Sequence, residues 1–365
     1  VKPSLSSLQA VAIVVNTILP TGFLLLPSYI IQISKQDGWI SLLLSVAAAL
    51  FFAFAIGSIA RQNDQSSLLA WLEVRFGKVI TTVIGLFLCG YYLIVAATTM
   101  RFFSNFLSEQ MLYSTPLFML AAIIALVGIY MSSQGIPTLG NVHFIVLVLV
   151  LIFMGINAFL LWKQFDIKQF LPMFEATLVH HLAAGILPIS WLSEISVLLL
   201  FVPFLKNKEA AVKIAVWGTL ISGILITLIT AVTLAVFGKT IISIFTYPAF
   251  EMVSTVEFGN FVERVDVLLL SAWMASMFAK VSVFMFCFFH LVTQTFKVTS
   301  HMSLYIAGGL LIMATSLYSW PSNILMVRYS YTTLNFFLLF SNYGICLFIW
   351  CGLLFTRHKG KTEGA

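Results

Sequence analysis

Charge is what this sequence has least of. Only 9% of its 365 residues are Asp, Glu, Lys or Arg, against 61% hydrophobic. A soluble domain carries roughly 25% charged residues, so a soluble fold is excluded. Cysteine is nearly as sparse. Cys89, Cys287, Cys346 and Cys351 all fall in apolar runs. None makes a Cys-x-x-Cys pair or a ligand-spaced set, so neither a disulfide framework nor a zinc site is expected. HExxH, GxSxG, the P-loop and GxGxxG are absent as well, leaving no support for hydrolysis, nucleotide binding or a redox cofactor. The chain is therefore expected to be neither an enzyme nor a nucleic-acid binder, and to hold no metal or cofactor.

What fills the sequence instead is long apolar runs. At about 20 residues per helical crossing, ten spans can be counted, at roughly 8–33, 38–60, 79–107, 116–133, 141–162, 179–203, 211–238, 262–294, 301–320 and 333–356. This predicts an all-α polytopic membrane protein, with residues 1–365 forming a single transmembrane domain. The first run is too long for the apolar core of a cleaved leader and reads as a retained span. Ten divides into five plus five. Because five is odd, the second set enters from the opposite side, giving an inverted repeat with halves at about 8–162 and 179–356.

Lys and Arg set the orientation. With both termini cytoplasmic, that side holds Lys2, Arg61, Arg75, Lys78, Lys206, Lys208, Lys213, Lys297, Arg357, Lys359 and Lys361. The other side holds Lys35, Lys163, Lys168, Lys239, Arg264 and Arg328. The larger first set places both termini inside. Between Arg61 and Lys78, Leu68, Leu69, Trp71, Leu72 and Phe76 stand among charges, as in a short helix lying on the interface. Thr246 to Asn260 has the pattern of a helical cap over the outer mouth or of a plain surface loop. Arg357 to Ala365 reads as a basic stop-transfer tail.

Two of the spans carry a proline in mid-run. Asn16-Thr17-Ile18-Leu19-Pro20-Thr21-Gly22 lies inside the first, and Ile18-Leu19-Pro20 recurs as Ile186-Leu187-Pro188 in the sixth, between Gly185 and Ser190. Proline removes a backbone donor and frees a carbonyl, which at membrane depth only protein or a polar cavity can satisfy. Spans one and six are thus expected to be discontinuous. Breaks at matching places in two halves point to a binding site.

Polar residues at depth each ask for a reason. Lys280 lies roughly 20 Å or more from either surface at 1.5 Å per residue, beyond the reach of snorkelling. Asp266, Trp273 and Lys280 recur every seven residues along one helical stripe. Three readings stand for Lys280: a structural lysine bonded to carbonyls, an ammonium in a cation position beside the first break, or a proton carrier. Glu194, six residues beyond Pro188, is a carboxylate in a water-filled vestibule or paired to a neighbour, the partner of a ligand's amino group, or a proton-exchanging group. Ser190 and Ser193 beside it can donate to a ligand carboxylate, as can half-helix N-termini. Arg101 reads as an anchor snorkelling outward. Tyr91, Tyr92 and Val95 either wall a site or pack. The adjacent His180 and His181 point in different directions and share no metal.

Several segments together resemble the endospore germination permeases, the B subunits of spore germinant receptors, within the amino acid–polyamine–organocation superfamily. They are Asn16 to Pro27, Asp37-Gly38-Trp39, Gly85 through Gly90-Tyr91-Tyr92, Ser193-Glu194 with Pro203, Phe261 to Arg264 with Asp266 and Trp273, and Trp320-Pro321. The resemblance implies a site between spans one, three, six and eight that binds a small germinant, most often an amino acid. It implies residence in the inner membrane of the spore beside A and C receptor subunits. By position, the site would draw on Thr17, Pro20, Thr21, Gly22, Val95, Ser190, Ser193, Glu194, Phe278 and Lys280. In one departure, Pro20 stands where members often have the first of two glycines, which puts transfer of alanine specificity in doubt. A proton- or cation-coupled amino-acid permease is the alternative, since sensing and transport need the same broken-helix site.

Overall fold

The computed structural model describes residues 4–255 and 266–362, with side chains described for 4–255 and 269–353. Helices dominate, as the apolar runs require. They are α1 Ser7–Ser34, α2 Gly38–Gln62, α3 Leu68–Gln110, α4 Leu117–Ser133, α5 Ile136–Leu161, α6 Leu178–Leu192, α7 Leu198–Phe201, α8 Ala211–Ile242, α9 Pro248–Ser254, α10 Asp266–Phe296, α11 Met302–Tyr318, α12 Asn323–Tyr331, α13 Thr333–Leu339 and α14 Ile345–Thr362. Among the described residues, seven helical stretches are long and apolar enough to cross a membrane, or eight if α11 and α12, bent by 100°, form one span. One stretch, Ser7–Gln62, contains both α1 and α2, and α4, at 17 residues, stands outside the seven as a shorter apolar helix. The ten expected crossings are therefore not all separate by length and apolarity.

Packing follows from where the small residues fall. Ala49, Ala53 and Gly57, four apart on α2, are all buried and let α8 approach closely, as small residues do between membrane helices. A Cβ on Gly57 would stand 2.6 Å from the Val212 Cα. α2 packs on α8, α1 on α6 and α3 on α10, so each of the first three helices meets a partner from the second half. Around this centre, α4 turns Phe118, Ile123, Leu126 and Tyr130 outward, the apolar surface that lipid requires.

Local signals behave as their chemistry dictates. Ser6 and Gln9 form a reciprocal capping box at the start of α1, satisfying two otherwise orphaned groups. Gly77, at φ 78°, separates Leu68–Phe76 from the long part of α3, a left-handed backbone that suits glycine. The expected amphipathic helix is that first segment, with Leu68, Leu69, Trp71 and Leu72 buried. The expected cap is helical at Pro248–Ser254, with Pro248, Phe250, Met252 and Val253 buried; the rest of that segment, from Val256, lies outside the described residues.

Of the two expected discontinuities, the one in span one is not seen and the one in span six lies further along than Pro188. α1 runs without interruption through Pro20 and Pro27. The backbone donors missing at the two prolines are tolerated there because neighbouring helices pack and bond around the helix. The Asn16 amide donates to the His143 carbonyl at 2.7 Å and accepts from Ser276 Oγ at 2.9 Å, while Trp273 Nε1 donates to the Pro20 carbonyl at 2.9 Å. In span six the α-helix also passes through Pro188. It gives way only at Ser193–Val197, which is 3₁₀.

Arg101 is corrected too. It does not snorkel outward but is 6% exposed, and its Nη1 donates to the carbonyls of Ser316 and Leu317 at 3.2 and 3.0 Å. Those carbonyls end α11, where unpaired oxygens and the helix dipole gather negative charge.

Candidate functional site

At the middle of α10, the Lys280 ammonium donates to Glu194 Oε2 and to Thr21 Oγ1, both at 2.8 Å. Lysine and glutamate are 1% and 5% exposed, and the ammonium also lies 5.4 Å from the centre of the Phe284 ring, within cation–π range. Each partner comes from a different element: Thr21 one residue past Pro20 in α1, Glu194 from the 3₁₀ segment of span six, Lys280 from α10. The 3₁₀ winding tightens the turn that bears Glu194, and the pair satisfies two charges that would be costly alone at this depth.

Around the pair lies a cavity of ≈ 10 Å³, about the room one water needs. Thr21, Val95, Glu194 and Lys280 line it, together with Thr98, Thr99, Phe102, Trp191, Leu334 and Leu338. Packed rings and paired backbone flank it toward the two ends of the bundle. Toward the end where α9 sits, Phe106 meets Trp273, Tyr247 and Phe250 with ring centres 4.6, 5.3 and 5.1 Å apart, and Phe103 packs on Trp273 and Phe278. At the other end, the segment before α1 pairs with the end of span six. Ser4 and Leu5 N–H donate to the Phe204 carbonyl, and Lys206 N–H donates to that of Leu5.

Of the remaining expected residues, those with described side chains sit apart from the cavity. Thr17 Oγ1 bonds to its own helix at Ile13. Pro20 lines a neighbouring void with Trp273 and Ser276. Gly22 faces α8, where a Cβ would meet Ile226 Cδ1 at 2.7 Å. Phe278 stacks edge-on against Phe103. Asp266 begins α10, but its side chain lies outside the described residues. Ser190 and Ser193 turn toward span ten rather than the pair. Ser190 Oγ donates to Asn335 Oδ1 at 3.0 Å, and Ser193 Oγ accepts from Asn342 Nδ2 at 2.8 Å and donates to the Ser190 carbonyl.

Those two asparagines were missed from the sequence. Asn342 also accepts from Ser196 Oγ at 2.6 Å, so a single amide holds both ends of one turn in the 3₁₀ segment. It sits in a π-helical stretch, Phe340–Gly344, a winding often found at functional places. Their spacing of seven in the last apolar run was the available signal.

A helical bundle with a charged pair at its centre, held between the proline-bearing first span and a 3₁₀ turn in the sixth, is the fold of a polytopic membrane protein. The solved structures agree on the fold. MhsT in complex with L-phenylalanine superposes with a TM-score of 0.66 at 12% identity, covering 94% of this chain and 86% of that one. Mhp1, a nucleobase-cation-symport-1 family transporter in a closed conformation with bromovinylhydantoin bound, gives 0.67 at 13% identity over 93% and 79%.

Sequence relatives narrow the class. The profile described as "Spore germination protein" matches residues 4–324. Spore germination protein A2 of Bacillus subtilis (strain 168) is 27% identical over 350 residues, 92% of each chain. Spore germination protein YndE of the same organism is 26% identical over 309 residues, 80% of this chain and 81% of that one. The chain belongs to the spore germination protein family.

Proposed function

We propose that this chain is the membrane subunit of a spore germinant receptor and that it binds a small zwitterion, an amino acid, between Lys280 and Glu194. The observation that carries this reading is the ion pair itself. A zwitterion can insert without adding net charge to a buried site, its ammonium taking Glu194 and its carboxylate taking Lys280, whereas an ion of one sign would leave a partner uncompensated. The L-phenylalanine held by MhsT is a ligand of that class. The ≈ 10 Å³ cavity makes the arrangement a closed state. Ligand capture must part the pair and shift the 3₁₀ segment of span six against span ten, and that population shift is the signal.

In this reading the chain crosses the membrane ten times, with Ser7–Gln62 counted as two spans, in two inverted halves at about 8–162 and 179–356. It lies in the inner membrane of the spore, both termini cytoplasmic, beside A and C subunits. The test is germination of spores carrying this chain as their sole B-type subunit across an amino-acid panel, alongside uptake of the active compound in vesicles. The expected outcome is germination with no uptake, lost in Lys280→Met. A normal response in that variant overturns the site, and stoichiometric uptake favours a coupled permease.

A further inference from the structure

Arg101, Asn105 and Glu109 follow one another at spacings of four along α3, which stacks them on one face of the helix. Arg101 holds the two carbonyls that end α11. One turn on, Asn105 Nδ2 donates to Asn323 Oδ1 at 2.8 Å, at the start of α12. A further turn on, Glu109 Oε2 accepts from Asn323 Nδ2 at 2.8 Å and from the Tyr247 hydroxyl at 3.3 Å.

Tyr247 is where α9 begins. Its carbonyl accepts from the N–H groups of Phe250 and Glu251, and its buried ring packs on Phe106. Phe106 in turn meets Phe250 and Trp273, and Trp273 donates to the Pro20 carbonyl, one residue before Thr21. A continuous run of packed rings therefore joins α9 to the ion-pair chamber.

The two ends of α9 are held unequally. Past its last turn, Thr255 Oγ1 donates to Gln164 Oε1 and Gln164 Nε2 donates to the Thr255 carbonyl, both at 3.4 Å and both in exposed positions. Bonds that long, open to water, contribute little. At Tyr247, by contrast, one half-buried carboxylate gathers donors from two other elements, and bonds to a charged group are roughly twice as strong as neutral ones.

We propose that Glu109 is the pin of an entry lid: by accepting from Tyr247 and Asn323 together it holds α9 over the Lys280–Glu194 chamber, and its release lets a ligand in. Glu109 is a positioning residue in this account, touching no ligand itself. The proposal rests on the reading of the ion pair as a ligand site, and deepens it by naming what controls access.

Thiol labelling of the full chain in nanodiscs, with no amino acid present, tests the lid apart from the ligand. Thr99→Cys places a reporter in the chamber lining, and a charged, water-soluble methanethiosulfonate reaches it only when the chamber opens. The buried native Cys89, Cys287 and Cys346 lie beyond the ion pair from α9 and report any general loosening. Adding Glu109→Ala should speed labelling at position 99 about tenfold, and Tyr247→Phe, which keeps the ring and loses only the hydroxyl, about threefold. Glu109→Gln, which keeps one acceptor, should fall between the unaltered pin and Glu109→Ala. Combining Tyr247→Phe with Glu109→Ala should add nothing, because the carboxylate that the hydroxyl served is already gone. An unchanged rate at position 99 in Glu109→Ala, an equal rise at the three native thiols, or additive effects of the two substitutions overturns the lid. A normal ligand response in Lys280→Met overturns the ligand site instead, and leaves the labelling result standing.

Discussion

The Lys280–Glu194 pair can be taken apart one charge at a time. Lys280→Met keeps the length of the side chain and removes its ammonium, leaving the Glu194 carboxylate 5% exposed with no cation. Breaking a buried pair from one side costs about 3–5 kcal/mol. Glu194→Gln strands the ammonium instead, but Thr21 Oγ1 at 2.8 Å and the new amide oxygen still accept from it, so a smaller loss of about 2–3 kcal/mol is expected. The double variant carries no charge at this depth and should lie within about 1–2 kcal/mol of the unaltered chain, since neutral replacement of a whole pair is often tolerated. The coupling energy is then at least ~3 kcal/mol. Reversible unfolding of the four proteins in mixed micelles measures it, and ligand response is recorded in parallel. The double variant should be stable yet silent, which separates the pair's structural part from its part in recognition. Additive single losses below about 1 kcal/mol each would refute the reasoning.

Three other perturbations test the surrounding framework. Asn342→Leu removes the bonds to Ser193 and Ser196 and should destabilise by about 1–3 kcal/mol, with a shifted ligand dose–response; an unchanged midpoint and stability would count against a role for span ten. Arg101→Met strips the donor from the Ser316 and Leu317 carbonyls; a loss of about 1–3 kcal/mol is expected in unfolding, and Arg101→Lys should recover only part of it, lacking the planar fork. At the opposite end from the N-terminus, the Gln36 hydrogen bond, then the charges of Lys35 and Lys239, hold the Glu175 carboxyl below the usual carboxylate range. A lowered folded-state pKa means its anchoring of the loop before α6 is present above the ordinary value and is lost as pH falls through the lowered one. Hydrogen exchange at residues 171–177 should therefore quicken below about pH 4 and should not do so in Glu175→Gln.

Much of this architecture was legible in the sequence because lipid imposes simple rules. A chain this poor in charge has to fold as helices, and Lys280 at mid-span had to find a partner inside the protein. Glu194 was legible for the same reason. The direction of Ser190 and Ser193 was not, because a serine in a helix gives no hint which neighbour its hydroxyl will meet; here Asn335 and Asn342 capture them. The prolines misled in a consistent way. Pro20 and Pro188 remove backbone donors, but cross-helix bonds such as that of Trp273 to the Pro20 carbonyl help hold α1 in place, and the change of winding in span six falls five residues past Pro188, at Ser193. Arg101 showed the limit of depth arguments. Its distance from the surface allowed snorkelling, and only the arrival of the α11 terminus beside it decided otherwise.

Lys280 is in effect a competitor tethered to its own binding partner. Attached to α10 and aimed at Glu194, its ammonium is present at an effective concentration on the order of millimolar or more, whatever the surroundings contain. An incoming amine must outbid that fixed presence before the pair will part. On the germinant-receptor reading proposed above this sets a floor: traces of ligand leave the site closed, and a response begins only when the compound is plentiful outside. The length and placement of a single side chain would then fix the threshold, and shortening or moving it would retune the dose at which the molecule responds without redrawing what it recognises.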